Sequence, residues 1–147
     1  MILTLEQVKD WLKEIAVEAA GRIAVGTIDG KAEHFIGVYD GKHPPKQRIC
    51  LGGYELTRYA QKSVRILLHW SKNAVEAERA ALNLWQRISG TSGFEVVSYA
   101  DGSNVYNGRA IRIVSTDAGG GPISVGRDEY GVYEYVINLV ITYERKE

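Results

Sequence analysis

Apolar residues recur every three or four positions near the start of the chain. The repeat comprises Leu5, Val8, Trp11, Leu12, Ile15 and Ala19. This spacing places one apolar stripe on a helix, with charged residues on the opposite face, and predicts that the helix ends near Gly21. Thr4 followed by Gln7 is a capping-box pattern, which favours a helix start at this point.

A second stretch with helical spacing lies in the middle of the chain. Its apolar positions are Ala74, Ala77, Ala81, Leu84, Trp85 and Ile88. Asn73 followed by Glu76 repeats the capping-box pattern at the start. Gly90 is well placed to end the helix in the left-handed conformation that glycine adopts readily.

Alternation of apolar and polar residues predicts β-strands in several other segments. In the segment 63–70, Val64, Ile66, Leu68 and Trp70 face one way, with Ser63, Arg65 and His69 opposite. The segment 132–145 alternates over the longest run, with Tyr133, Tyr135, Ile137, Leu139, Ile141 and Tyr143 on one face. Segments 49–51, 94–100 and 109–116 are shorter strand candidates. Such period-two patterns are typical of half-buried strands.

The order of these elements indicates the fold class. Segments 22–28 and 33–40 are rich in β-forming residues and flank Asp29-Gly30, which favours a β-hairpin. The chain then runs helix, strands, helix, strands. This order predicts an α+β fold, with a mainly antiparallel sheet and two principal helices packed on one face. A length of 147 residues suits a single domain, and we expect one over residues 1–147.

Two glycine- and proline-containing segments are predicted to be loops. Residues 41–48 (GKHPPKQR) contain two of the three prolines and several basic side chains. Pro44-Pro45 does not fit a central strand, so this segment is expected to form an exposed loop or arm. Ala118–Pro122 is the most flexible stretch by composition, and Asp128 to Gly131 resembles a turn that leads into the last strand.

Composition and charge narrow the classes of partner. Eighteen basic and eighteen acidic residues cancel, so no net charge attracts the chain to nucleic acid or to an anionic membrane. Cys50 is the single cysteine and fits a small apolar residue in a reducing compartment. The first residues lack the pattern of a signal peptide, and no apolar run is long enough to span a bilayer. These features favour the cytoplasm, or an assembly made there.

The residues do not suggest a catalytic site. Gly119-Gly120-Gly121 lacks the Lys-Ser/Thr that follows the glycines of a phosphate-binding loop. His34, His43 and His69 are too far apart in sequence to predict a metal site, and Asp128-Glu129 fits a solvated turn. No Gly-x-Ser-x-Gly motif is present. We therefore expect no enzyme activity, no cofactor and no bound metal.

A binding role is favoured by the aromatic residues. Tyrosine occurs nine times against two phenylalanines, and tyrosines are common at protein interfaces. An alternative role is nucleic-acid binding by the region from Lys42 to Tyr59. This region holds the basic residues Lys42, Lys46, Arg48 and Arg58 beside Tyr54 and Tyr59. Bases stack on such tyrosines, although the zero net charge favours a protein partner.

Three segments resemble a known family of phage proteins. They are IGVYDGK at 36–42, LGGYELTRYAQKSVRILLHWSKNAVEAERAALNLW at 51–85, and GVYEYVINLVITYER at 131–145. The most specific parts are Gly52-Gly53 with Glu55, Thr57 and Tyr59; His69-Trp70 followed by Lys72-Asn73; and the run from Gly131 to Glu134. The chain resembles the minor capsid proteins of bacteriophages and prophages, a group similar in fold to the tail-terminator, or tail-completion, proteins of long-tailed phages.

The resemblance implies a structural role in the virion. Proteins of this kind assemble in the host cytoplasm into a ring, typically a hexamer, at the head-proximal end of the tail. The ring stops growth of the tail tube and joins the tail to the head, so the implied partners are further copies of the chain, the tail tube protein and the connector or stopper proteins. No membrane and no specific nucleic acid are implied. The candidate interface residues are Lys42, His43, Pro44, Pro45, Lys46, Gly52, Gly53, Tyr54, Gly119, Gly120, Gly121 and Pro122.

Overall fold

The computed structural model describes residues 3–16, 22–26, 33–41, 59–90, 92–100 and 105–145. It contains two helices, α1 (Leu5–Ile15) and α2 (Ala74–Ser89). The strands are β1 (Ile23–Val25), β2 (Phe35–Asp40), β3 (Tyr59–His69), β4 (Ser92–Ala100), β5 (Val105–Asp117), β6 (Ile123–Arg127) and β7 (Tyr133–Arg145).

The strands form one seven-stranded sheet. Six of them follow the order β1-β2-β3-β7-β5-β4, and β6 pairs with β7 beside this path. Every pairing is antiparallel except that of β1 with β2. The two helices contact each other and pack on the sheet. The predicted α+β class, with a mainly antiparallel sheet, is confirmed.

Helix α1 begins as the sequence predicts. Gln7 donates its backbone N–H to the Thr4 hydroxyl, and the Gln7 side chain accepts from the Thr4 backbone N–H, so the capping box is complete. The helix ends at Ile15, and the prediction of an end near Gly21 was wrong. Ala16 already has non-helical dihedrals, and its N–H closes the last turn on the Leu12 carbonyl.

Helix α2 also begins at its predicted cap. The Asn73 side chain accepts hydrogen bonds from the backbone N–H groups of Val75 and Glu76. The Glu76 carboxylate is directed to His34 at 3.2 Å instead of back to the cap. At the other end Gly90 has a right-handed conformation (φ −83°), so the predicted left-handed terminator was wrong. The backbone N–H of Gly90 still bonds to the Gln86 carbonyl oxygen, as in a continued helical turn.

The predicted hairpin around Asp29-Gly30 was also wrong. Strands β1 and β2 run parallel, with Ile23 opposite Ile36 and Val25 opposite Val38. A two-residue turn joins only antiparallel strands, so a hairpin does not connect this pair. Asp29-Gly30 itself lies outside the described residues.

The other predicted strands are present wherever the structure describes them. The segment 63–70 lies in β3, 94–100 in β4, 109–116 in β5 and 132–145 in β7, each strand with somewhat different bounds. Segment 49–51 and Cys50 lie outside the described residues. The sequence analysis missed β6.

The core lies between the helices and one face of the sheet. In β3 and β7 the cross-strand pairs Val64–Leu139 and Ile66–Ile137 are fully or almost fully buried. From the helices, the core receives Val8, Trp11, Leu12, Ala77, Ala81, Leu84 and Ile88. Burying each large aliphatic side chain contributes about 1.5–3 kcal/mol to stability. On β3 and β7, the face of the sheet away from this core carries mostly polar side chains, and we call it the open face.

Strands β5 and β6 lie end to end along the same edge of β7. Asp117 of β5 is opposite Val140, and Ile123 of β6 is opposite Val136. The chain advances six residues from Asp117 to Ile123, whereas β7 spans only four residues between their partners Val140 and Val136. The Ala118–Pro122 turn contains the two extra residues. Gly119 and Gly121 have positive φ angles of 65° and 120°. Glycine adopts such angles without steric cost, which explains the glycines at this break.

Among the described residues, neither helix combines the length and the apolar composition that crossing a bilayer requires.

Candidate functional site

Most of the predicted interface residues cannot be placed. Lys42, His43, Pro44, Pro45, Lys46, Gly52, Gly53 and Tyr54 lie outside the described residues. Of the basic and aromatic region from Lys42 to Tyr59, the structure describes only Tyr59, which is 51% exposed at the start of β3.

The predicted loop residues Gly119, Gly120, Gly121 and Pro122 are described. They form the turn between β5 and β6, and Gly119 and Gly120 are exposed. The Gly119 backbone N–H bonds to the Asp117 carboxylate at 3.0 Å, which fixes the first step of the turn. Ala118 is buried and belongs to the core. The segment is thus anchored at the end that follows β5.

A cluster that the sequence analysis did not predict lies at the end of β3. His69 is on the open face by strand alternation, as predicted, yet its side chain is only 1% exposed. Its neighbours across the sheet are Phe35 on β2 and Glu134 on β7. The Nδ1 atom of His69 lies 3.2 Å from Glu134 Oε2, and its Nε2 atom lies 3.5 Å from Asp128 Oδ2.

Asp128 is held in place by the turn between β6 and β7. Its Oδ1 atom accepts the backbone N–H groups of Tyr130 at 2.9 Å and Val132 at 3.0 Å. The Gly131 N–H bonds to the Asp128 carbonyl oxygen, and the Asp128 N–H bonds to that of Val132. Aspartate commonly stabilises turns in this way. Because Oδ1 is occupied by the turn, Oδ2 is the oxygen that faces His69.

Glu134 is positioned by the register of two strand pairs. It is opposite His69 on β3 and opposite Gly126 on β6. Gly126 has a φ angle of 101°, and a Cβ atom added there would meet no heavy atom within 4 Å. The positive φ angle, and not a lack of space, therefore favours glycine at this position. The Asp128 and Glu134 side chains are each 17% exposed, so solvent reaches the cluster although the imidazole is buried.

A second histidine lies near this end of the sheet. The ring of His34 stacks on Trp70 with centroids 4.5 Å apart, and its Nε2 atom lies 3.2 Å from Glu76 Oε1. His34 has a positive φ of 57°, which is uncommon for a residue with a side chain. In this conformation the backbone N–H of His34 donates a hydrogen bond to the Trp70 carbonyl oxygen at 2.7 Å. Unlike His69, His34 is 41% exposed, so its pair with Glu76 is solvated.

Strand β6 has an exposed edge and is the second feature of interest. It pairs with β7 along one side, and within the described residues no strand pairs with its other side. Ile123 and Val125 are 56% and 57% exposed, which is high for aliphatic side chains in a strand. Ile123 also ends a row across the open face, formed by Gly37, Leu67, Val136 and Ile123. The described surface thus has an apolar strand at the margin of a mostly polar face.

Comparisons with known proteins do not identify a family. No family model matches the chain, and no curated protein matches it. A solved structure identified only by a sequence number covers 99% of this chain and 98% of its own length. It shares 12% sequence identity and has a TM-score of 0.39, a level of similarity that supports no argument about fold family or function.

The cluster and β6 escaped the sequence analysis for different reasons. Asp128 and Glu134 lie about sixty residues from His69, and only the pairing of β3 with β7 brings them together. The one available signal was that His69 on β3 and Glu134 on β7 are polar and lie on the open face. Strand β6 has only five residues, two of which are glycine and serine, so its alternation is too short to stand out.

Proposed function

We propose that this chain is a structural assembly protein that associates with copies of itself through the margins of its sheet. In its more specific form, the proposal is a phage tail-terminator or minor capsid protein. Such a protein forms a ring at the head-proximal end of the tail, where it meets the tail tube protein and the connector or stopper proteins. The ring would be assembled in the bacterial cytoplasm and become part of the virion.

The exposed edge of β6 is the observation that carries the proposal. An unpaired strand edge presents backbone N–H and C=O groups that can pair with a strand from another chain. Soluble proteins usually protect such edges with charges, prolines or β-bulges. The first three residues of β6 are Ile123, Ser124 and Val125 and carry no charge, and the register with β7 shifts between Ser124 and Gly126. Pairing there would bury two aliphatic side chains that the single chain leaves about half exposed.

The opposite margin of the sheet offers a different edge. Strand β1 is first in the strand order and pairs only with β2 among the described strands. Its Val25 side chain is 36% exposed. Contact between two unlike edges is heterologous, and a heterologous contact closes into a ring when its rotation fits. Pairing of β6 in one copy with β1 in the next is the simplest arrangement of this kind.

The phage assignment is supported by the sequence resemblance alone. The likeness includes the segment around His69 and Trp70 and the segment from Gly131 to Glu134, which meet at the same end of the sheet. Assembly of a ring needs complementary surfaces and no chemical step. The proposal therefore assigns no catalytic residue and no cofactor.

The test is the oligomeric state of the purified chain and of an edge variant. Native mass spectrometry and negative-stain microscopy of the wild type should show a ring, either alone or after addition of tail tube protein. Val125→Lys places a charge in the middle of the β6 edge and should yield a folded monomer, since a lysine there opposes strand pairing.

Val75→Lys is the matched control. Val75 is 66% exposed on α2, so this variant adds the same charge at an exposed valine away from the sheet margin. It should assemble like the wild type. A wild-type chain that stays monomeric with tube protein present would overturn the proposal. A ring formed by Val125→Lys would exclude the β6 edge as the contact.

A further inference from the structure

We infer that His69, Asp128 and Glu134 form a site for a divalent transition-metal ion of the zinc type. These residues offer one imidazole nitrogen and two carboxylate oxygens, and these atoms all lie within 4.8 Å of one another. We assign His69 and Asp128 as ligands and Glu134 as the residue that orients His69. The inference concerns the contact between the end of β3 and the β6–β7 turn and does not depend on the assembly proposed above.

The first argument is the kind of atoms that face one another. Each ring nitrogen of His69 lies beside a carboxylate oxygen, Nδ1 beside Glu134 Oε2 and Nε2 beside Asp128 Oδ2. Imidazole nitrogen and carboxylate oxygen are both atoms that zinc binds in proteins. The His69 side chain is buried, so its ring is held in place beside both oxygens.

The distances favour the Asp128 side for the ion. The 3.2 Å contact between Nδ1 and Glu134 Oε2 fits a hydrogen bond. The 3.5 Å separation of Nε2 from Asp128 Oδ2 is long for a hydrogen bond. Two ligands of a tetrahedral zinc ion, each about 2.0–2.1 Å from the metal, lie about 3.3 Å apart. An ion therefore fits between Nε2 and Oδ2 with a shift of a few tenths of an ångström.

Glu134 then takes the role of an orienting residue. When a histidine binds metal through one nitrogen, its other N–H commonly donates to a carboxylate, which fixes the tautomer and the ring orientation. The contact of Nδ1 with Glu134 matches this arrangement and directs Nε2 toward the Asp128 carboxylate. Asp128 is equally well fixed, because the turn amides hold its Oδ1 and leave Oδ2 for the metal.

The ligand types indicate which ions fit. Imidazole nitrogen suits zinc, cobalt, nickel and copper, whereas magnesium and calcium prefer sets made of oxygen alone. The partial exposure of Asp128 and Glu134 lets water complete the coordination. An ion bound here would join the end of β3 to the β6–β7 turn, and so would fasten the hairpin that carries the exposed β6 edge.

The test is titration of untagged, chelator-stripped protein with zinc chloride, followed by calorimetry and by NMR of the histidine rings. We expect one Zn²⁺ per chain and a shift of the His69 Nε2 resonance. Asp128→Asn keeps an oxygen for the two turn amides and removes the ligand oxygen, so it should abolish binding without unfolding the hairpin. Glu134→Gln should weaken binding by about 10- to 100-fold, as expected for a residue that orients a ligand.

Two further variants separate this site from other zinc-binding side chains. Glu129→Gln changes an exposed carboxylate next to Asp128 and should bind zinc like the wild type. His34→Asn removes the other described histidine that contacts a carboxylate, and it should also bind like the wild type. Absence of zinc binding to the wild type would overturn the inference. Unchanged binding in Asp128→Asn, or loss of binding in His34→Asn, would overturn it as well.

Discussion

The guanidinium group of Arg87 donates to the carbonyl oxygen of Ile15 at 2.9 Å, so the last turn of α2 caps the end of α1. The final carbonyl groups of a helix lack partners within the helix, and a cation there also interacts favourably with the helix dipole. We expect Arg87→Ala to lower the free energy of unfolding by about 0.5–1 kcal/mol, because the bond is exposed. Urea unfolding measures this, with Arg79→Ala on the same helix as control. An equal loss in both variants would argue against the cap.

The amino-terminal cap of α2 gives a second prediction. Asn73→Ala removes the acceptor for two backbone N–H groups and should cost about 1 kcal/mol of stability. Asn83→Ala, at an exposed position inside the same helix, should stabilise by up to about 0.5 kcal/mol, since alanine is the better helix former. Thermal unfolding of the two variants should thus show midpoint shifts of opposite sign. Shifts of the same sign would contradict the assigned cap.

A third prediction concerns the close approach of Gly41 to Ser63. A Cβ atom at Gly41 would collide with the Ser63 Oγ atom, lie 2.7 Å from its Cβ and 3.0 Å from its backbone carbon. Gly41→Ala should therefore destabilise the fold by about 1–3 kcal/mol. Combining it with Ser63→Gly should recover part of the loss in chemical denaturation. Gly120→Ala, where an added Cβ meets nothing within 4 Å, should have little effect.

A fourth prediction follows from Asp10 on α1. Burial raises the pKa of the Asp10 carboxyl above its ordinary value; Lys13 opposes this shift and Glu6 adds to it. The folded chain thus binds this proton more tightly than the unfolded chain. The resulting stability is complete below the unfolded-state pKa and is lost as pH rises through the folded-state pKa. Asp10→Asn cannot ionise at this position, so its stability should not show this loss as pH rises.

Urea midpoints of the wild type and of Asp10→Asn, compared across roughly pH 3 to 6, measure the effect. The stability of the wild type relative to the variant should fall as pH rises through this range. Glu14→Gln, at an exposed position on the same helix, serves as control and should not reproduce the difference. A pH-independent difference between wild type and Asp10→Asn would contradict the prediction.

Local patterns in the sequence predicted the elements that depend on local physics. The capping residues Thr4 and Asn73 lie where expected, and alternation identified the buried face of β3 and β7. The helix end at Ile15 did not follow from the apolar stripe, which continues to Ala19. The sequence gives no sign there that an arginine from the other helix caps α1.

Long-range pairing explains the remaining differences. Ile23 pairs with Ile36 in a parallel register, and two β-rich segments beside Asp-Gly do not specify the relative direction of the strands. The cluster around His69 depends on the register of β3 with β7 and on the turn that presents Asp128. A single sequence shows that His69 alternates onto the polar side of its strand. It does not show which residues cover that side chain.

The break between β5 and β6 has a consequence for the length of the chain. Asp117 and Ile123 are each held by their own partner on β7, so the residues between them do not set the register of either strand. Gly120 is exposed, and the space around it is open. Peptides inserted after Gly120 should therefore be displayed at the margin of the sheet while both strands keep their places, which makes this turn a natural point for grafting an affinity tag or an epitope.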